Sequence, residues 1–337
     1  VWALGDARKT TGKGAVYSAG DNITLRYDPS AYFLAEKVYP LLLRSGFNVS
    51  LKPNVRYPMD KIFFDEANED QLKFIGSWVK DQTKHSNGLV ALLAPDSLTH
   101  LKDCDPKKMA MSSLAMNPLM VIRDKNEFAG KFGWTLCMLP TKALATQAKM
   151  SQRAYAQEII KACYLDDKDP VGRWMQTTSK IGKIKNWSTS MPIEYVHVKS
   201  DDGRTDLKVW IGKERQWLGG SGHNIPSFEV FTSPEAGHAE GTYFANESSF
   251  KMGRYVKGIH LEFKDGVVVN TTAEKEEEFV QSRVALDEGS KMIGEISLTD
   301  KRFSEITKFM AHTLFDENVG GKNGNCHIAI GRAYPDA

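Results

Sequence analysis

Three short, unbroken apolar runs punctuate the first 140 residues: GLVALLAP (88–95), LMVIRDK (119–125) and FGWTLCMLP (132–140). A strand with one wet face alternates polar and apolar residues, whereas an unbroken run is a strand buried on both faces. Such strands pair in parallel and need helices above and below them. The preceding sequence agrees. NITLRY (22–27) places Ile23, Leu25 and Tyr27 on one face. SAYFLAEKVYPLLLRSG (30–46) predicts a helix with Ser30 as N-cap and Gly46 as C-cap. Pro40 is expected to kink or divide it. FNVSLKP (47–53) then returns as a strand, completing a βαβ unit. The first turn, YDPSAY (27–32), has no G-x-G-x-x-G, which argues against a dinucleotide site.

SQRAYAQEIIKACYLD (151–166) predicts an amphipathic helix, and the polar stretch 166–187 is expected to lead out of the first domain. Beyond about residue 190 the texture changes to alternation. TDLKVWIGK (205–213) alternates through Leu207, Val209 and Ile211. GIHLEFKDGVVVNTT (258–272) predicts a hairpin turning at Asp265-Gly266, with Ile259, Leu261 and Phe263 on one face. An acidic helix (274–289), a strand at GEISLT (294–299), a helix from about 302 to 315 and a strand at CHIAIGRAY (326–334) complete the pattern. The expected architecture is an α/β N-terminal domain with a mainly parallel sheet over residues 1–188. An α+β domain with hairpins follows over 189–337.

Charge narrows the partners. Forty-four basic against 42 acidic residues leave a formal +2, with no basic block to suit nucleic acid or a membrane surface. No apolar run approaches the roughly 18 to 20 residues of a membrane helix. Four cysteines without C-x-x-C spacing read as reduced thiols, and VWALGDARKTTGKG (1–14) lacks a signal peptide's apolar stretch. A cytoplasmic protein is the expectation.

Three places set acids or His among apolar strand residues. Glu229 lies in NIPSFEVFTSP (224–234) and Glu295 in IGEISLTD (293–300), while Asp316, Glu317, His327 and Tyr334 crowd the closing stretch. Any one strand acid is ordinarily solvent-facing. Several buried together need cations, and carboxylates with imidazole suit zinc, cobalt or manganese. The glycine-rich VGGKNGN (319–325) is no phosphate loop, because it precedes a strand rather than a helix N-terminus.

NIPSFEVFTSP, EGTYF (240–244), GIHLEFKDGVVV, GEISLTD, LFDEN (314–318) and CHIAIGRAYP (326–335) occur in that order. In this the chain resembles the cocatalytic metalloaminopeptidases of the aminopeptidase T, aminopeptidase S and PepS type. Upstream, PTKALATQAKMSQRAYAQEI (140–159) is similar to that family's segment between domains. The resemblance implies an aminopeptidase that hydrolyses the N-terminal peptide bond of peptides through a water bridging two metal ions. Zinc, cobalt or manganese would serve, and magnesium is compatible. It places Glu229 as a metal ligand, Glu295 as the bridge between ions, and Glu317 and His327 at the metal centre. Glu317 is left as ligand or general base, and Tyr334 as the donor that stabilises the transition state. It also implies a cytoplasmic homodimer. Residues 318–325 form a longer loop than the family pattern, and the family's downstream His-x-Asp pair would lie beyond Ala337. The pairs His238/Glu240 and His260/Glu262 do not occupy that position. Two other readings are a non-catalytic relative that keeps the fold and dimer, and a metal-free hydrolase using Glu229 and Glu295 as an acid–base pair.

Overall fold

The unbroken apolar runs fold as expected in two cases out of three, and the exception is instructive. In a computed structural model describing residues 1–11, 13–334 and 337, the strands in chain order begin β1 (Asn22–Tyr27), β2 (Asn48–Pro53), β3 (Gly88–Leu93) and β4 (Gly133–Met138). Next come β5 (Tyr195–Lys199), β6 (Asp206–Trp210), β7 (Leu218–Gly219) and β8 (Asn224–Ile225). They continue with β9 (Glu229–Thr232), β10 (Ala239–Phe244), β11 (Ser249–Lys251) and β12 (Arg254–Val256). The last are β13 (His260–Lys264), β14 (Val267–Thr272), β15 (Ile293–Thr299) and β16 (Asn325–Ile330). LMVIRDK is not among them. It lies in the helix Asn117–Phe128, which starts with Pro118 in its first turn. Proline's fixed φ and missing N–H suit that position, and a short apolar run alone cannot tell strand from buried helix.

The chain forms two compact units, Val1–Ile159 with Ser221–Pro226, and Ile160–Gly220 with Ser227–Ala337. The first is an α/β unit built on a parallel sheet of order β2-β1-β3-β4-β8. Ile23, Leu25 and Tyr27 are buried together with Leu42, Val90 and Leu92. The helix Tyr32–Arg44 runs unbroken through Pro40. Ser30 does not cap it; its hydroxyl donates to Asp96, while Gly46 takes the left-handed turn (φ +83°) after the last residues.

The second unit stacks two antiparallel sheets, β14-β13-β10-β6-β5 and β16-β15-β9-β7. Leu207, Val209, Leu261, Phe263 and Val268 of the first sheet share a core with Ile293 and Ile296 of the second. The β13–β14 hairpin turns at Asp265 and Gly266, both at positive φ. The polar stretch 166–187 lies largely in a 21-residue helix, Pro170–Ser190, N-capped by Asp169. Its Ile181 packs on Trp217 and Val230. The expected helix over 302–315 shrinks to one turn, Thr313–Asp316. The chain there is shaped by buried hydrogen bonds instead: the Asp316 carboxylate accepts from the backbone N–H of Met310 (2.6 Å) and His312 (2.8 Å).

Candidate metal centre

Strand register assembles the site. In antiparallel pairs, residues directly opposite share a face, and so do i and i+2 along a strand. Ser297 on β15 faces His327 on β16, and Thr299 faces Glu229 on β9. Glu295, Ser297 and Thr299 alternate along β15, so Glu229, Glu295 and His327 all project from one face of the sheet. The opposite face carries Ile296 and Ile328 into the core between the sheets. That is why each acid sits among apolar neighbours in the sequence.

One donor atom from each of Glu229, Glu295 and His327 lies within 4.8 Å of the others. His327 Nε2 is 3.3 Å from Glu295 Oε1 and 3.5 Å from Glu229 Oε2. Ligands bound tetrahedrally to one zinc at about 2.0–2.2 Å stand roughly 3.3–3.6 Å apart, so the spacing fits a single ion. Both carboxylates are buried. Glu229 is fixed by two hydroxyls, Ser297 Oγ donating to Oε2 (2.7 Å) and Ser227 Oγ to Oε1 (3.2 Å). His327 Nδ1 is buried and hydrogen-bonds to none of the described residues, so its Nε2 contacts hold the ring.

The electrostatics describe a cluster short of positive charge. Burial pushes the Glu229 carboxyl up, His327 pulls it back, and the Glu295 charge adds to the rise. Glu317 is pushed up to about 8, first by burial and then by the charge of Glu229. For His327, burial opposes the charged form, but the Glu295 hydrogen bond and the charges of Glu229 and Glu317 win, raising it to about 9. A proton on His327 therefore stands where a divalent cation would neutralise the same acids. Two carboxylates and an imidazole are a donor set that zinc, cobalt or manganese accept.

Glu317 is not one of the three converging donors, although its charge acts on them. It ends the turn Thr313–Asp316, its carbonyl accepting from Thr299 Oγ1 (3.1 Å). Asp316 serves its own loop, as described above. The Tyr334 ring packs on Phe231 at 4.9 Å, and Phe231 shares its face with Glu229. The glycine-rich loop turns through Gly321 and Gly324 at positive φ and delivers β16. Two contributors escaped the sequence reading. Asn318, fully buried, accepts from Phe228 N–H (2.7 Å) and donates to the Leu314 carbonyl (3.1 Å), tying the closing stretch to the start of β9. Lys251 donates to Thr313 Oγ1 (2.8 Å). Burial of its ammonium lowers its pKa against the pull of Glu317 and Asp316.

Comparison with known proteins adds independent findings. The family model described as thermophilic metalloprotease (M29) matches residues 7–337. Aminopeptidase 2 of Geobacillus stearothermophilus is 27% identical over 252 residues, covering 70% of this chain and 59% of that protein. Aminopeptidase T of Thermus aquaticus is 29% identical over 215 residues, covering 60% and 50%. Aminopeptidase AmpS of Bacillus subtilis (strain 168) is 27% identical over 288 residues, covering 80% and 68%. The chain thus spans about half to two thirds of the length of these relatives. The structure of wild-type AmpT from Thermus thermophilus shares the fold, with a TM-score of 0.77 at 21% identity over 97% of this chain and 83% of that one.

Proposed function

This chain belongs to the thermophilic metalloprotease (M29) family, and from that membership we propose that it is a metal-dependent aminopeptidase acting on peptides. The observation that carries the reading is the convergence of Glu229, Glu295 and His327 on one face of a sheet. Glu229, Glu295 and His327 would hold the metal, with Glu317 joining them or serving as general base. Two divalent ions held there would supply an activated water and a Lewis acid for the scissile carbonyl. Every other step belongs to the chain's own groups. Glu295, one of the three converging donors, would bridge the ions, as the family resemblance implies. Glu317, whose charge acts on the cluster, would with metal bound be the carboxylate that takes a proton from the water and returns it to the leaving amine. Tyr334 would donate a hydrogen bond to the oxyanion, a contribution typically of about 3–4 kcal/mol. The relatives named above carry the word aminopeptidase in their names, which favours an exopeptidase over an endopeptidase. No helix among the described residues is long and apolar enough to cross a membrane. A cytoplasmic homodimer completes the proposal.

The test is release of N-terminal residues from short peptides and aminoacyl anilides, with and without chelator. Chelator-sensitive release, restored by zinc, cobalt or manganese and abolished in a folded Glu295→Gln variant, is expected. Turnover that survives both exhaustive chelation and this substitution would refute the reading.

A further inference from the structure

We propose a second binding site, for a small oxoanion, in the α/β unit, built from Arg26, Arg123 and Arg56 at the carboxyl edge of the parallel sheet. The ligand class is a carboxylate or phosphate group. The placement comes from topology. With strand order β2-β1-β3-β4-β8, the direction of winding reverses between β1 and β3. In open α/β sheets the gap outside the strand ends at such a reversal is where ligands bind.

Arg26 is the penultimate residue of β1, at that end. Ile23, Leu25 and Tyr27 face the apolar core, so alternation sends Arg26 to the other face. Arg56 follows the carboxyl end of β2, and Arg123 lies in the helix between β3 and β4. Burial lowers the pKa of Arg26 against the pull of Asp28, and the charges of Arg56 and Arg123 lower it further.

What marks a site rather than a structural cluster is the lack of partners. The Nε atoms of Arg26 and Arg123 are buried and find no hydrogen-bond partner among the described residues. The acids nearby are already committed. Asp28 accepts from Asn54 Nδ2 (2.6 Å) and from the Ala94 backbone N–H (2.7 Å), joining the ends of β1 and β3. Asp60 pairs with Arg56 Nε at 3.0 Å. A buried guanidinium left without an acceptor is costly, and its planar fork of donors matches the oxygens of a carboxylate or phosphate. The first loop carries no glycine-rich fingerprint, so the recognition rests on side chains and not on a nucleotide-binding turn.

Calorimetric titration of the full chain with inorganic phosphate and, separately, succinate tests this. Chelator is present and ionic strength is held constant with chloride. Saturable one-site binding of at least one anion is expected, and which of the two binds identifies the group. Arg26→Gln and Arg123→Gln should each weaken that binding by roughly tenfold or more. Should Arg26→Gln fail to fold, Arg123→Gln, on a half-exposed helix, carries the test. Glu295→Gln should leave anion binding unchanged, which separates this site from the metal centre. No saturable binding of either anion, or binding unaltered in the folded arginine variants, would overturn the proposal.

Discussion

Glu229 is oriented before any ion arrives, because Ser297 and Ser227 each donate to one of its oxygens. Removing a hydroxyl that orients a ligand typically costs about 10–100-fold in metal affinity. Ser297→Ala, at a fully buried position, should therefore weaken zinc or manganese binding by roughly that factor. Competition against a fluorescent chelator reads it, and an unchanged affinity would remove Ser297 from the site. Tyr334→Phe separates binding from chemistry: kcat should fall by about 10²–10³ while metal affinity holds. Loss of metal affinity instead would make Tyr334 a structural residue. At this scale the sequence was partly legible. Glu229, Glu295 and His327, which the structure brings together, stand out because each interrupts an apolar strand. Ser297 could have been found by the same alternation, two residues after Glu295. Lys251 and Asn318 could not, since their contacts span 62 and 90 residues and leave no periodic trace.

Strands carried a clearer signal than the elements that cover them. The β13–β14 hairpin and β15 follow directly from alternation and a D-G turn, whereas LMVIRDK and the stretch 302–315 were misread. The causes differ: LMVIRDK is a short apolar run that strand and buried helix share, whereas over 302–315 local pattern gave way to side-chain hydrogen bonds. Between residues 302 and 318 the backbone is organised by side chains, with Asp316 accepting two N–H groups and Ser304 donating to the Asn318 carbonyl. Asn318 is the clamp of this element. Asn318→Ala would strand the buried Phe228 N–H beside Glu229, at a cost of about 1–3 kcal/mol. Chemical denaturation of the metal-free protein should show that loss, with metal affinity reduced alongside it. Full stability would mean the closing stretch is held by something other than this side chain. Gly294 makes the same point at the start of β15, because a Cβ there would lie 2.4 Å from the Arg332 carbonyl. Its place before Glu295 is a matter of space for the backbone that follows β16, not of chemistry.

For the whole molecule, the change from unbroken to alternating apolar texture made two architectures readable. The long helix Pro170–Ser190 was not, because its apolar residues are sparse and its burial against Trp217 and Val230 is tertiary. The coupling of metal to global stability also belongs to this scale. In the metal-free protein His327 is raised to about 9 and Glu317 to about 8. Unfolded, they return to about 6.5 and 4.3. Between pH 6.5 and 9 these two groups therefore bind more protons in the folded chain than in the unfolded one, and the stability they contribute falls as pH rises. His312, lowered to about 4 by burial and by Lys251, has the opposite sign, but its effect ends near 6.5. Lys251 also opposes the trend where it titrates. A bound divalent ion replaces the site protons, so its affinity should increase over the same interval. The gap in Tm between metal-saturated and chelated protein should widen from pH 6.5 to 8.5, since ligand stabilisation grows with affinity. Comparing the two forms at each pH cancels groups remote from the centre. Scanning calorimetry with manganese or with chelator measures the gap, and a constant or narrowing difference would show that the protons on Glu317 and His327 are not the ones metal displaces.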